Sequence, residues 1–209
     1  MSFESQHSDY SGPVIIITAP SGSGKTTLVK YLLATFPQLN FSISATTRAQ
    51  RPTEIDGKDY HFISVDHFFA FRDQGLLVEW EEVYPGQFYG TLYSELTKIW
   101  EKGNIVLFDV DVQGAIELKN KFKHQSLSIF IKAPSIEILG ERLKQRSTET
   151  EESLQKRILK AELETSYASS FEHILVNDRL ADAQKQITNI VNHFLTQLNS
   201  TWKHVVTNP

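Results

Sequence analysis

The chain has 209 residues, 40% apolar and 22% charged, which fits a folded protein, either one large domain or a core carrying inserted lobes, and excludes a fibrous or disordered chain. A formal net charge of -4 gives no basic field for a nucleic-acid backbone, and the absence of cysteine removes disulfides, thiolate catalysis and zinc–thiolate sites. Residues 1–12 are polar, with Glu4 and Asp9, unlike a secretory leader, and the nearby apolar run 14–17 is too short to span a bilayer, so a cytoplasmic protein without a membrane partner is expected.

The β-branched run 14–18, between Gly12-Pro13 and Pro20, predicts a buried strand of the parallel-sheet kind. A Ser/Gly loop follows, then a helix from Lys25 with Leu28, Tyr31, Leu32 and Phe36 at helical spacing, stopped by Pro37. Alternation predicts a strand over 41–46 and another over 60–63. Ser64 caps a helix over 65–74 that Gly75 ends, and a strand over 77–83 runs to the turn Pro85-Gly86. The βα rhythm then returns. A helix over 94–102 ends at Gly103 and is followed by a strand over 105–108, a helix over 114–121 and a strand over 127–131. Ser135 caps a helix through Ile136, Leu139 and Leu143, and Thr148 with Glu151 forms a capping box for a charged helix to about 166. A strand over 173–176 and a helix over 187–198 close the chain.

Such alternation predicts an α/β fold with a parallel sheet covered by helices on both faces. The expected organisation is a core of 13–42, 104–134 and 168–199, with a small mixed lobe inserted at 43–103 and a helical pair at 135–167. Flexible tails are expected at 1–12 and 200–209. Whether copies assemble into a homo-oligomer is left open by the sequence.

The segment Ala19-Pro20-Ser21-Gly22-Ser23-Gly24-Lys25-Thr26 follows the phosphate-loop pattern G-x-x-x-x-G-K-[ST], with Ala19 in place of the first glycine. Small residues let consecutive amides face phosphate oxygens, the helix N-terminus adds a favourable dipole, Lys25 reaches the outer phosphates and Thr26 offers a hydroxyl to Mg²⁺. A nucleotide phosphate is expected there, held by Pro20, Ser21, Gly22, Ser23, Gly24, Lys25, Thr26 and Thr27; the loop alone fits a kinase, a hydrolase or a switch equally. Arg48 and Arg51 follow a strand, where two guanidinium forks suit one phosphate or, equally, are two solvated loop arginines. Asp109 closes the strand 105–108, the place of a carboxylate that orders Mg²⁺ and its waters, or else a helix cap. Arg142 and Arg146 lie four apart on one helix and Arg157 on the next, the usual pattern of a salt-bridged solvent face. The seven histidines show no metal-ligand spacing, and Phe68, Phe69 and Phe71 suit a core.

From Phe41-Ser42-Ile43-Ser44-Ala45-Thr46-Thr47-Arg48 through Arg51-Pro52, Gly57-Lys58-Asp59-Tyr60-His61-Phe62, Val78-Glu79-Trp80, Phe88-Tyr89-Gly90-Thr91 and Phe108-Asp109-Val110-Asp111-Val112-Gln113-Gly114, to Arg146-Ser147-Thr148-Glu149-Thr150-Glu151-Glu152 and Val176-Asn177-Asp178, the chain resembles the guanylate kinases. The resemblance runs from Val14 to about Phe194. It implies transfer of the γ-phosphoryl group of ATP to GMP, and to dGMP, with Mg²⁺, in purine nucleotide metabolism and GMP recycling. It implies that Arg48, Arg51, Tyr60 and Tyr89 hold the GMP phosphate and that Ser44, Glu79, Thr91 and Asp111 read the base. It makes 135–167 a lid whose Arg142, Arg146 and Arg157 join Lys25 and Arg48 in catalysis, and places Asn177 near the adenine. The alternative is a non-catalytic guanylate-kinase-like protein-interaction module, in which a degraded phosphate loop is expected.

Overall fold

The computed structural model describes residues 12–146 and 151–201. The elements begin with β1 (Val14–Thr18), α1 (Lys25–Thr35), β2 (Leu39–Phe41), β3 (Ala45–Thr46), β4 (His61–Phe62), α2 (Val65–Asp73), β5 (Leu77–Tyr84), β6 (Gln87–Leu92) and α3 (Tyr93–Trp100). They continue with β7 (Ile105–Asp109), α4 (Val112–Phe122), β8 (Ser126–Lys132), α5 (Ile136–Arg146), α6 (Glu151–Ser166), β9 (His173–Val176) and α7 (Leu180–Thr201). Thr148 of the expected capping box lies outside the described residues. Among them, no helix is long and apolar enough to cross a membrane.

Five strands form one sheet in the order β2-β7-β1-β8-β9, each pair parallel. Every residue of β1 is buried, because the alternation of its side chains feeds two cores. Ile15 and Ile17 pack with Leu28, Leu32, Ile187 and Val191 from α1 and α7, whereas Val14 and Ile16 pack with Leu96, Ile99, Ala115 and Leu118 from α3 and α4. Helices therefore cover both faces, the arrangement the βα rhythm predicts. In such sheets ligands bind beyond the carboxyl ends of the strands, where β1 and β7 release the phosphate loop and Asp109.

The second sheet is mixed, in the order β4-β3-β6-β5, with β3 and β4 parallel and the other pairs antiparallel. The expected strand 41–46 is two strands in two sheets. The Ser42 amide still donates to Leu107 O of the large sheet, whereas Ser44 O already accepts from His61 N in the small one. Residues 42–44 are thus the changeover. A further strand that the sequence hid is β6, which returns along β5 after Pro85-Gly86. Gly90 interrupts its strand signal for a steric reason, since a Cβ there would stand 2.8 Å from Glu79 O and 3.0 Å from Trp80 Cβ. Two helices also start earlier than expected: α4 at Val112, behind its cap Asp111, and α7 at Leu180, whose first turn has only the small Ala183 as its buried residue.

The small sheet has its own aromatic core. Ser64 caps α2 by accepting from the His67 amide at 3.2 Å, and α2 lays Phe68, fully buried, against Trp80 and Phe88 of the β5–β6 hairpin, with ring centroids 6.5 and 5.6 Å away. Phe68→Ala is expected to cost about 3–5 kcal/mol, read as a fall in the denaturant midpoint. A cost under about 1 kcal/mol would show that the hairpin holds its place without this ring.

The helices α5 and α6 share a third cluster, with Leu139 and Leu143 against Leu154, Ile158 and Ala161. This cluster sets the pair across the carboxyl end of the large sheet.

Candidate active site

The phosphate loop leaves β1 and enters α1 through Gly24, which sits at φ 90° as the N-cap and provides no side-chain cap. The first-turn amides of α1 therefore receive no side-chain oxygen and face the cleft as an anion site. Only glycine fits at 24: beyond its positive φ, a Cβ would collide with Asn177 Nδ2. Asn177 is buried, 6% exposed, and its Nδ2 donates to Ser23 O at 2.8 Å, bracing the loop from the end of β9. Ala19 adopts no left-handed backbone, Lys123 being the single described non-glycine residue at positive φ, so the missing first glycine costs no strain.

Lys25 bridges the loop and β7. Its Nζ donates to Val110 O at 3.1 Å and forms an ion pair with Asp109. A cavity of about 470 Å³ opens above the loop, bounded by Lys25, Tyr60, Tyr84, Asp111, Arg157 and Lys160. A second of about 330 Å³ lies against the small sheet and shares Lys25, Thr26, Tyr60 and Asp111 with the first. On the far side of the loop a third, of about 400 Å³, is lined by Gly24, Thr27, Arg142, Asn177 and Asp178.

The second cavity brings together Ser44, Tyr60, Glu79, Tyr89 and Asp111, while Thr91 enters through Glu79. Thr91 is fully buried and Glu79 6% exposed, and Thr91 Oγ1 donates to Glu79 Oε1 at 2.7 Å. Burial pushes the Glu79 carboxyl up to about 7, against the Thr91 hydrogen bond that lowers it. Asp111 caps α4, its Oδ1 accepting from the amides of Gln113 at 2.8 Å and Gly114 at 3.0 Å, so one oxygen serves the helix.

Glu81 lines the same cavity and was not singled out by the sequence. Burial, together with the adjacent Asp111 carboxyl, pushes it up to about 8. Its available signal was the two-residue period of β5, which puts 79, 81 and 83 on one face.

The arginines are placed less uniformly. Arg48 does not line the second cavity; it stands behind Tyr60 and Tyr89, its Nε donating to Tyr89 Oη at 3.1 Å and its guanidinium 5.0 Å from the Tyr60 ring centroid. Its two terminal nitrogens grip Glu54 at 2.7 and 2.6 Å. That hydrogen-bonded pair holds the Glu54 carboxyl at about 2 and raises the Arg48 guanidinium further. Arg51 is exposed and lies outside the cavity wall, so the structure does not bring it to Tyr60 and Tyr89 as the resemblance implies. Its amide instead donates to Glu54 Oε2 at 2.9 Å. Arg157 Nη2 donates to Ser21 Oγ at 2.7 Å, setting α6 directly on the phosphate loop. Arg142 reaches Asp178 O at 3.4 Å, on the other side of the loop, and the side chain of Arg146 lies outside the described part of the structure.

A phosphate cradle at the carboxyl end of a parallel sheet, facing a separate carboxylate-lined pocket across a shared lysine, defines a phosphate-loop kinase with its own acceptor site. The family model described as guanylate kinase matches residues 11–194. The chain is 45% identical over 183 residues to a guanylate kinase of Salinibacter ruber, covering 88% of this chain and 97% of that one. It is 42% identical over 186 residues to a guanylate kinase of Bacteroides thetaiotaomicron, covering 89% and 91%. The crystal structure of guanylate kinase from Anaplasma phagocytophilum superposes with a TM-score of 0.69 at 30% identity, over 87% of this chain and 85% of that one. The chain belongs to the guanylate kinase family.

Proposed function

We propose that this family member transfers the γ-phosphoryl group of ATP to GMP, and to dGMP, releasing ADP and GDP, as an enzyme of the cytoplasm. The observation that carries the residue assignment is the shared wall: Lys25 and Thr26 of the phosphate loop bound the very cavity that holds Glu79 and Asp111, so a donor phosphate and an acceptor nucleotide meet at one cation.

In this reading residues 43–103 form the acceptor lobe and 135–167 the lid, on a core of 13–42, 104–134 and 168–199. ATP lies along 20–27 with its base toward Asn177 and Arg142. The guanine edge meets Glu79, Thr91, Ser44 and Asp111. A carboxylate accepts from guanine N1–H and the exocyclic amine, whereas adenine offers an acceptor at N1 and leaves Glu79 with the Thr91 hydroxyl but without the N1–H donor. The acceptor phosphate reaches Tyr60, Tyr89 and, through the latter, Arg48. Arg48 and Arg51 meet it by exchanging Glu54 for the phosphate.

The acceptor needs no protein base. A phosphate monoester with a second pKa of about 6 is mostly dianionic at neutral pH, so its oxygen attacks the γ-phosphorus as the bond to the ADP oxygen breaks. The remaining work is alignment of two polyanions and spreading of charge in a loose transition state, which Lys25, Arg157, Arg142 and Arg146 perform. The hydroxyl of Thr26 and the Asp109 carboxylate are oxygen donors of the kind Mg²⁺ takes, and both border the second cavity beside Lys25. They would hold the ion, which neutralises phosphate charge when bound.

A phosphate loop with Lys25 and Thr26 in place removes the ground for reading the chain as a bare interaction module. ADP release measured over GMP, dGMP, AMP, CMP and UMP tests the proposal. GMP is expected to exceed AMP by about 10⁴-fold in kcat/KM. Equal use of AMP would end the base-reading assignment.

A further inference from the structure

The base and phosphate assignments use every side chain on the small-sheet wall of the acceptor cavity that can meet a nucleotide, except Glu81. Its position along β5 is fixed by register. Glu79 pairs with Thr91 across the hairpin, and Glu81 pairs with Tyr89 one rung further on. The first rung belongs to the guanine end of the cavity. The second belongs to the phosphate end, because the Tyr89 hydroxyl carries Arg48. Two residues of strand span about 6.6 Å, so Glu81 lies about that far from the guanine rung, on the side of it toward the phosphate, within reach of the sugar of a bound 5′-nucleotide.

The chemistry at that point asks for a donor. Glu81 Oε2 is buried and, among the described residues, no group donates to it. The neighbouring carboxyl, Asp111, already spends one oxygen on the α4 amides, and in its hydrogen bond with Glu81 it takes the proton rather than giving one. Glu79 one rung away is also acidic, and its oxygen is taken by Thr91. A cation that acts on it is Lys160 of α6, which forms an ion pair with Glu164 at 3.8 Å. A buried acceptor without a donor is unfavourable until something supplies one. The sugar of a ribonucleotide carries two free hydroxyls, each a donor.

We propose that Glu81 reads the sugar of the acceptor, accepting a hydrogen bond from a ribose hydroxyl of GMP and thereby setting the preference for ribo- over deoxyribonucleotide. This rests on the acceptor site proposed above and adds a third recognition point between base and phosphate.

The test is a matrix of kcat/KM values, with wild type, Glu81→Ala and Glu81→Gln each assayed on GMP, 2′-deoxy-GMP and 3′-deoxy-GMP, and equilibrium binding of the same nucleotides in the absence of ATP. In the wild type at least one deoxynucleotide is expected to be about tenfold poorer than GMP, the upper end of what one hydrogen bond contributes. Glu81→Ala should bring GMP down to that level while leaving that deoxynucleotide within about twofold, so that the two losses are not additive. Glu81→Gln keeps a carbonyl acceptor and should retain discrimination within about threefold of wild type; it also serves if the alanine variant fails to fold. Equal use of all three nucleotides by the wild type would overturn the proposal. So would equal losses on all three in Glu81→Ala, which would mark a structural role. If the wild type phosphorylated none of the three but did phosphorylate another monophosphate, the acceptor reading itself would fall.

Discussion

Lys25→Ala is expected to lower kcat for GMP phosphorylation by about 10²–10³-fold, the loss that follows removal of one preorganised group from a site where transition-state charge develops. Among the described residues the ammonium is the one cation bordering both the cavity over the phosphate loop and the acceptor cavity, so its removal affects donor and acceptor together. It also leaves the Asp109 carboxylate without its ion-pair partner, which predicts a lower unfolding midpoint for the single variant. Adding Asp109→Asn should recover part of that stability and none of the activity. Steady-state kinetics and thermal unfolding on the two variants separate the effects, and a Lys25→Ala enzyme within tenfold of wild type would refute the role.

The second large effect concerns Glu79. Glu79→Gln is expected to raise KM for GMP by about 10²-fold, since a charged acceptor that takes two guanine donors is replaced by an amide that must turn one donor group toward the base. Only the ionised carboxylate accepts from both guanine groups, and the carboxyl titrates at about 7 in the unliganded chain. GMP affinity should therefore strengthen from pH 6 to pH 8, and that slope should become shallower in Glu79→Gln, leaving the part due to the GMP phosphate and Glu81. Stability runs the opposite way. The folded value of about 7 lies above the ordinary 4.5, so the folded chain holds this proton more tightly than the unfolded one. The group's favourable contribution is complete below about pH 4.5 and is lost as pH rises through 7. Calorimetric GMP titrations and thermal melts across that range check both signs; a GMP affinity independent of pH would contradict the assignment.

Much of this site could be read in the residues, and the unread parts share a cause. The strand–loop–helix around Lys25 was legible because the run Val14–Thr18 and the helix Lys25–Thr35 carry strong local signals on either side of a glycine-rich motif. Asp109 was legible as the end of an apolar strand. The strand β6 was not, because Gly90, required by the close approach of the Glu79 carbonyl, lowers the propensity of the segment that carries Tyr89 and Thr91. Arg48 could be picked out, but its seizure by Glu54 depends on the fold of an irregular loop, to which no periodicity points. Glu81 carries no signal of its own in an acidic strand, and only the packing of α4 against the small sheet brings it beside Asp111.

The changeover of the chain between the two sheets has a mechanical consequence. Ser42 is tied to the large sheet and Ser44 to the small one, and the other major tie is where Lys121 Nζ of α4 donates to Val78 O at the start of β5, at 2.9 Å. Ser44 and Glu79 follow these two attachments by one or two residues, while Arg48, Glu54 and Tyr89 come further along the chain. If the small sheet turns about these attachments, Ser44 and Glu79 are expected to move least and Tyr89 and Arg48 most. In the proposed acceptor site that makes the base the rowlock and the phosphate the blade of the oar.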